Sequence, residues 1–302
     1  MPLIDVDLIE VGPRDGLQAE PISWPTEEKV RLITELVDVG LRRIEVASFV
    51  NPRRVPQMAD AADVVAKLPR RPDVAYIGLV LNLRGAERAI ASGLSEIGTA
   101  LPATDGFGLR NQGQDSLTAV KEVTEIVRFG KEFGVRVQAT MSMAFGCPID
   151  GIVRVDRVVD LTKRIADSGI FELGLADTLG VAVPAQVSEL FGRVSDAVPH
   201  LPLRAHFHDT RNTGIANAWA AISAGARAID GSVAGLGGCP FAPGSSGNVA
   251  TEDLAYLLQC SGVPTSIDVE RLIKISRRVS GYLDRAPTSG LGRAGLSNGV
   301  CI

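Results

Sequence analysis

The chain has 302 residues, of which 45% are hydrophobic, 22% charged and 5% aromatic, a composition that builds a large globular core and excludes collagen, coiled coil and disorder. With 31 Lys and Arg against 35 Asp and Glu the formal charge is -4, so no overall positive field favours nucleic acid as a partner. The basic pairs Arg42-Arg43, Arg53-Arg54 and Arg70-Arg71 read as solvated faces, with a local phosphate contact left open at one of them.

In chain order, short apolar, β-branched runs at 3–11, 42–49, 74–81, 94–100, 134–141, 170–176, 202–207 and 227–233 predict eight strands, each bounded by Gly, Pro or charged residues. Between them lie segments of helical spacing: Val30, Ile33 and Val37 behind the acidic turn Glu27-Glu28, then Val155, Val158, Val159 and Ile165, then Leu254, Leu257 and Leu258. Strand and helix alternate about eight times without a break in composition, which predicts an α/β fold of the (β/α)8 TIM-barrel type over residues 1–265. A doubly wound sheet would carry G-x-G-x-x-G or a P-loop after an early strand, and neither occurs. Residues 266–302 read as a C-terminal helical extension, with a helix from Val269 to Tyr282 and a Gly-rich tail from Ser289 expected to fray.

Cys147, Cys239, Cys260 and Cys301 are far apart with no C-x-x-C, and Met1 to Glu10 carries acids in place of a basic region and a long apolar run. The expectation is a cytoplasmic chain with free thiols. No window approaches the ~20 apolar residues of a membrane helix, so no membrane partner is expected.

In a barrel, catalytic groups sit at the C-terminal strand ends. Here these carry Arg14-Asp15, Glu45 and Ser48, Asp177-Thr178, His206-Phe207-His208-Asp209, and a glycine-rich run leading to Asn248. His206 and His208 are two of only three histidines and stand at i, i+2, so on a strand both face one way. Two readings stand for this pair: hydrogen-bonded polar residues at a strand end, or ligands of a divalent cation with Asp15, which barrel closure brings near. A mixed N/O site suits Mg, Mn or Zn. Arg14 can form a structural salt bridge or meet an anionic oxygen, and Glu45 suits the support of Arg14 or of a metal-bound water. From Gly235 to Gly247 there are five glycines in thirteen residues, with Cys239 between them, which reads as a hinged loop able to bring a thiol over the site.

These segments carry a resemblance. Glu10-Val11-Gly12-Pro13-Arg14-Asp15-Gly16-Leu17-Gln18, Ser48-Phe49-Val50, Val55-Pro56-Gln57-Met58, Gly146-Cys147-Pro148, Val233 through Pro240, Gly247-Asn248 and Ala250 through Leu254 resemble the 3-hydroxy-3-methylglutaryl-CoA lyase family. The likeness runs from about residue 4 to about 260. It implies a TIM barrel in which Asp15, His206, His208 and Asn248 hold Mg2+ or Mn2+, Arg14 steadies an enolate, and Cys239 supplies acid chemistry. Glu45 and Asp177 match its supporting polar positions. It also implies an acyl-CoA thioester substrate and a homodimer, and Arg53 and Arg54 are candidates for the CoA contact.

The chain departs from the family pattern at Arg211-Asn212-Thr213-Gly214, at Val80-Leu81-Asn82 and within Ala103 to Asn111. Each departure bears on the acyl pocket, so the reaction type is better specified than the acyl group, and a lyase for another branched 3-hydroxyacyl-CoA is the alternative. A metal-dependent hydrolase is a further one, although in zinc amidohydrolases the H-x-H pair usually ends the first strand, whereas here it ends the seventh.

Overall fold

The computed structural model describes residues 5–238 and 247–297. Eight strands, β1 (Asp7–Glu10), β2 (Arg43–Ser48), β3 (Ala75–Leu79), β4 (Glu96–Pro102), β5 (Arg136–Ser142), β6 (Leu173–Asp177), β7 (Leu203–Phe207) and β8 (Ala228–Gly231), lie within the eight expected runs or extend them by one or two residues. They close in sequence order into one barrel. All pairings are parallel, and β1 meets β8 in the register Asp7 to Ala228 through Glu10 to Gly231. Parallel neighbours need crossovers, which is why a helix follows each strand.

The helices are α1 (Thr26–Asp38), α2 (Ala61–Lys67), α3 (Leu83–Ala91), α4 (Asp105–Asn111), α5 (Ser116–Glu132), α6 (Val155–Ala166), α7 (Pro184–Ala197), α8 (Gly214–Ser223), α9 (Thr251–Cys260), α10 (Val269–Tyr282) and α11 (Gly290–Ala294). Local chemistry starts them: the side chains of Asn82, Asp115 and Asp268 accept first-turn amides of α3, α5 and α10. Their apolar stripes meet the outward face of the sheet in one continuous core, while Ile9, Val11, Ile77 and Ala228 form a separate apolar cluster. Among the described residues no helix is long and apolar enough to cross a membrane.

α10 spans the residues its periodicity predicts, and it buries Val269, Leu272, Ile273, Ile275 and Val279 in the main core. Within the tail, Gly290–Ala294 forms α11. Ser289 accepts the Gly292 amide, and Asp253 accepts those of Gly290 and Leu291 at 2.7 and 2.8 Å. These side-chain acceptors satisfy the orphan amides of α11, a term that composition alone does not reveal.

Arg43 also departs from its expected place on a solvated face. At the start of β2 its guanidinium meets Glu172 at 2.9 and 3.0 Å and Glu96 at 2.8 Å. Glu96 in turn accepts from Arg136 at 2.7 Å. A charge enters such an interior only when paired, and the carboxylates come from segments distant in sequence.

Candidate active site

The first strand stops at Glu10 and enters one wide helical turn, Gly12–Gly16, in which the Val11 carbonyl accepts the amides of Arg14, Asp15 and Gly16. Asp15 therefore lies on this turn and not on β1. Pro13 has no N–H with which to continue a ladder, and the turn rises over the barrel mouth. Glu10, completely buried, ties the turn down: its Oε1 accepts the amides of Gly12 at 2.7 Å and Val233 at 3.0 Å, and its Oε2 accepts the Thr251 hydroxyl at 2.7 Å. The ends of β1 and β8 and the start of α9 thus converge on one carboxyl group. Burial pushes its pKa up to about 8 against the pull of the three donors.

His206 lies within β7, and His208 follows one residue beyond the strand end. There His208 bridges Asn248, with Asp209 N to Gly247 O at 2.9 Å and Val249 N to Phe207 O at 3.1 Å on either side. Ligand atoms of Asp15, His206 and His208 all lie within 4.8 Å of one another. Asn248 joins them through Nδ2, which donates to Asp15 Oδ2 at 2.7 Å and to the Leu236 carbonyl at 3.0 Å. With Nδ2 committed twice, Asn248 Oδ1 is buried with no hydrogen-bond partner.

The electrostatics suit a cation. Burial works against the Asp15 carboxylate, but Arg14 and the two imidazoles outweigh it and hold its pKa at about 2. Burial and the neighbouring His206 push His208 down to about 4, leaving a neutral ring with a lone pair near pH 7. His206 is buried as well, yet Asp230, 3.0 Å from its Nδ1, raises its pKa. An ionised carboxylate, two imidazoles and an orphaned amide oxygen together fit Mg2+ or Mn2+, which accept oxygen and imidazole donors.

Arg14 stands beside this group with its two terminal nitrogens committed to different carboxylates, Nη1 to Asp15 Oδ1 at 2.6 Å and Nη2 to Glu45 Oε2 at 2.5 Å. Burial disfavours its charge, and Glu45 and Asp15 more than compensate. Glu45 thus holds the guanidinium, the supporting place expected for it. Its own pKa is raised by burial, with Arg14 opposing.

The chain matches the HMGL-like family model over residues 5–279. It belongs to the HMGL-like family. Over 292 residues it is 41% identical to a hydroxymethylglutaryl-CoA lyase of Pseudomonas mevalonii, covering 97% of this chain and 96% of that protein. It is also 41% identical to an (R)-citramalyl-CoA lyase of Chloroflexus aurantiacus, with 96% and 95% covered. An HMG-CoA lyase from Acinetobacter baumannii, solved with coenzyme A and 3-methylmalate, superposes with a TM-score of 0.93 at 38% identity, covering 99% of this chain and 98% of that one. The chain is accordingly a carbon–carbon lyase of this family.

Of the other expected positions, Asp177 adjoins the cluster, its carbonyl accepting the His208 amide at 3.3 Å. Asp177 ends β6, and its two oxygens accept the amides of Val181 at 3.0 Å and Ala182 at 2.8 Å, so it shapes the turn into α7. Burial raises its pKa against these donors. Arg53 and Arg54 are exposed on the turn after β2. Cys239 lies outside the described residues. The loop on its N-terminal side turns through Ala234, a non-glycine residue at φ 61°, whose carbonyl accepts the Thr288 hydroxyl at 2.7 Å. Thr288, Ser289 and Arg293 wall a cleft of about 270 Å³ on which Asn248, Asp209 and Asp253 also open.

One residue in each of two segments that depart from the HMGL-like pattern has structural employment. Asn82 accepts the Gly85 amide at 2.9 Å as the cap of α3, and Arg211 donates to the carbonyls of Leu179 and Gly180 at 3.2 and 2.9 Å. Three residues of the site escaped the sequence reading: Glu10, Arg204 and Asp230. Each is a charged residue inside a predicted strand, and for Arg204 strand parity already places it on the face of His206. That signal was available.

Proposed function

We propose that the chain is a divalent-metal-dependent lyase that cleaves 3-hydroxy-3-methylglutaryl-CoA to acetoacetate and acetyl-CoA by a retro-Claisen step. The observation that carries this reading is the convergence of Asp15, His206 and His208 on one point beside the orphaned Asn248 Oδ1 and the clamped Arg14. Asp15, His206, His208 and Asn248 would hold Mg2+ or Mn2+. When bound, the ion supplies a Lewis acid that lowers the pKa of the substrate's tertiary hydroxyl.

The residues then divide the work. Asp15 or His206 takes the proton of the 3-hydroxyl as the bond between C2 and C3 breaks. The electron pair of that bond passes to the thioester as an enolate, whose oxygen meets Arg14. Protonation of C2 by Cys239 or His206 completes acetyl-CoA, and the former carbinol carbon leaves as the ketone of acetoacetate. Glu45 keeps Arg14 aimed, Asp177 shapes the adjoining turn, and the exposed Arg53 and Arg54 are the candidates for contact with the phosphates of CoA. We assign the chain to the cytoplasm and to a homodimer, the latter tested by light scattering.

A second reading rests on the equal 41% identity to the citramalyl-CoA lyase. Citramalyl-CoA has the same tertiary hydroxyl but an acid arm one methylene shorter, and its cleavage yields pyruvate in place of acetoacetate. The deciding experiment supplies each thioester with Mg2+ or Mn2+, and with EDTA as control, and follows the ketone product together with acetyl-CoA. Metal-dependent acetoacetate supports the first reading. Pyruvate alone supports the second, and free CoA without either ketone favours a hydrolase and refutes both.

A further inference from the structure

We infer that Asp230, held in place by Arg204, is a positioning residue that fixes the His206 ring for cation binding. The inference rests on the metal reading above. On β7, Arg204 precedes His206 by two residues and so shares its face. The pairing of Arg204 with Ala228 and Ala205 with Ile229 brings Asp230 of β8 level with His206. One atom, Asp230 Oδ2, then receives both groups: His206 Nδ1 at 3.0 Å and Arg204 Nη1 at 2.5 Å. All three side chains are buried.

Arg204 cannot readily give way. Its Nη2 donates to Thr140 Oγ1 at 2.7 Å, and its Nε lies 3.1 Å from Glu172, which also pairs with Arg43. The neighbouring strand makes room for it at Gly174, where a Cβ would stand 3.0 Å from Nη2. An anchored guanidinium therefore fixes the carboxylate, and the carboxylate fixes the imidazole with its proton on Nδ1. The lone pair of Nε2 is left for the cluster with Asp15 and His208.

If Asp230 only balances the charge of Arg204, its contact with His206 has no bearing on the metal. Two measurements separate these cases without any thioester. The first labels histidine with 15N and reads the tautomer of His206 in the metal-free full chain at pH 9. Only three histidines are present, and the His206→Gln spectrum assigns the signal. The second measures Mn2+ affinity by calorimetry for the parent chain, Asp230→Asn, the double variant Arg204→Met with Asp230→Leu, and Glu172→Gln, which touches Arg204 but not His206.

The expected result is a single Nδ1–H tautomer in the parent, Mn2+ binding about 10- to 100-fold weaker in both Asp230 variants, and a change within about threefold for Glu172→Gln, in which Arg204 keeps its bonds to Asp230 and Thr140. Folded Asp230 variants that bind Mn2+ as the parent does overturn the inference while leaving the lyase reading intact. An Nε2–H tautomer in the parent overturns it even if no variant folds. A parent chain that binds no Mn2+ removes both this inference and the metal site beneath it.

Discussion

Glu10→Gln is expected to abolish a pH dependence of stability while preserving the fold. The buried Glu10 carboxyl has its pKa raised from 4.5 to about 8, so the folded chain holds this proton more tightly than the unfolded chain does. Its contribution is fully present below about pH 4.5 and is lost as pH rises through 8. At roughly 1.4 kcal/mol per pH unit, the loss reaches about 2 kcal/mol at pH 6 and about 5 kcal/mol at pH 9. Glutamine mimics the protonated acid: its oxygen can accept the Gly12 and Val233 amides while its NH2 faces the Thr251 hydroxyl. Denaturant titrations of both chains at pH 6 and pH 9 isolate the effect, because the other titrating groups cancel in the difference. The variant should gain about 3 kcal/mol on the parent between those pH values. Glu10→Ala instead strands three donors at about 1–3 kcal/mol each and should be strongly destabilised at every pH. A difference between parent and Glu10→Gln that stays constant from pH 6 to pH 9 would refute the reasoning.

The remaining predictions concern the site. Arg14→Lys cannot span Asp15 and Glu45 with one ammonium, so kcat should fall about 100- to 1000-fold with much less change in KM; steady-state kinetics with an unchanged kcat would remove Arg14 from the chemistry. Gly237→Ala places a Cβ 2.6 Å from Asn248 Nδ2 at a φ of 123°, and should weaken Mn2+ binding at least tenfold by displacing that side chain. His208→Gln should flatten part of the acid limb of the stability curve. The folded pKa of His208 is lowered from 6.5 to about 4, so its stabilising neutral form is complete above pH 6.5 and lost as pH falls towards 4, a swing of about 3 kcal/mol. Cys239→Ala should cut turnover roughly 100- to 10,000-fold, the range of a general acid, with Mn2+ affinity unchanged; retained turnover would assign the proton to His206.

The eight strands were legible because each is buried on both faces and so reads as a short apolar run, and α10 because its stripe has a clean period. The His206 and His208 pair was legible through strand parity, and its approach to Asp15 through barrel closure. What stayed hidden is the chemistry that sequence distance conceals. The partners of Arg43 are Glu96 and Glu172, 53 and 129 residues away, and those of Glu10 include Val233 and Thr251, 223 and 241 residues away. A charged residue within a strand pattern announces that a partner exists, not which one. Asp15 lies past the first strand as its position beyond residue 11 implies, but the wide helical turn that carries it, Gly12–Gly16, is a choice that local propensity does not resolve.

The same reasoning explains why likeness alone does not fix the acyl group. In the proposed reaction the cluster around Asp15 and the clamp on Arg14 act on the hydroxyl and the thioester, which hydroxymethylglutaryl- and citramalyl-CoA share. Selection between them falls to whatever surrounds the acid arm, where the substrates differ by one methylene. Such a difference is worth about 1–3 kcal/mol in a pocket, or roughly 10- to 200-fold in rate, unless a buried polar group is left unpaired by the wrong arm. A chain equally similar to both lyases can therefore show measurable cleavage of each thioester while serving only one. The ratio of the two kcat/KM values, and not the detection of either product, identifies the acyl group for which the pocket is built.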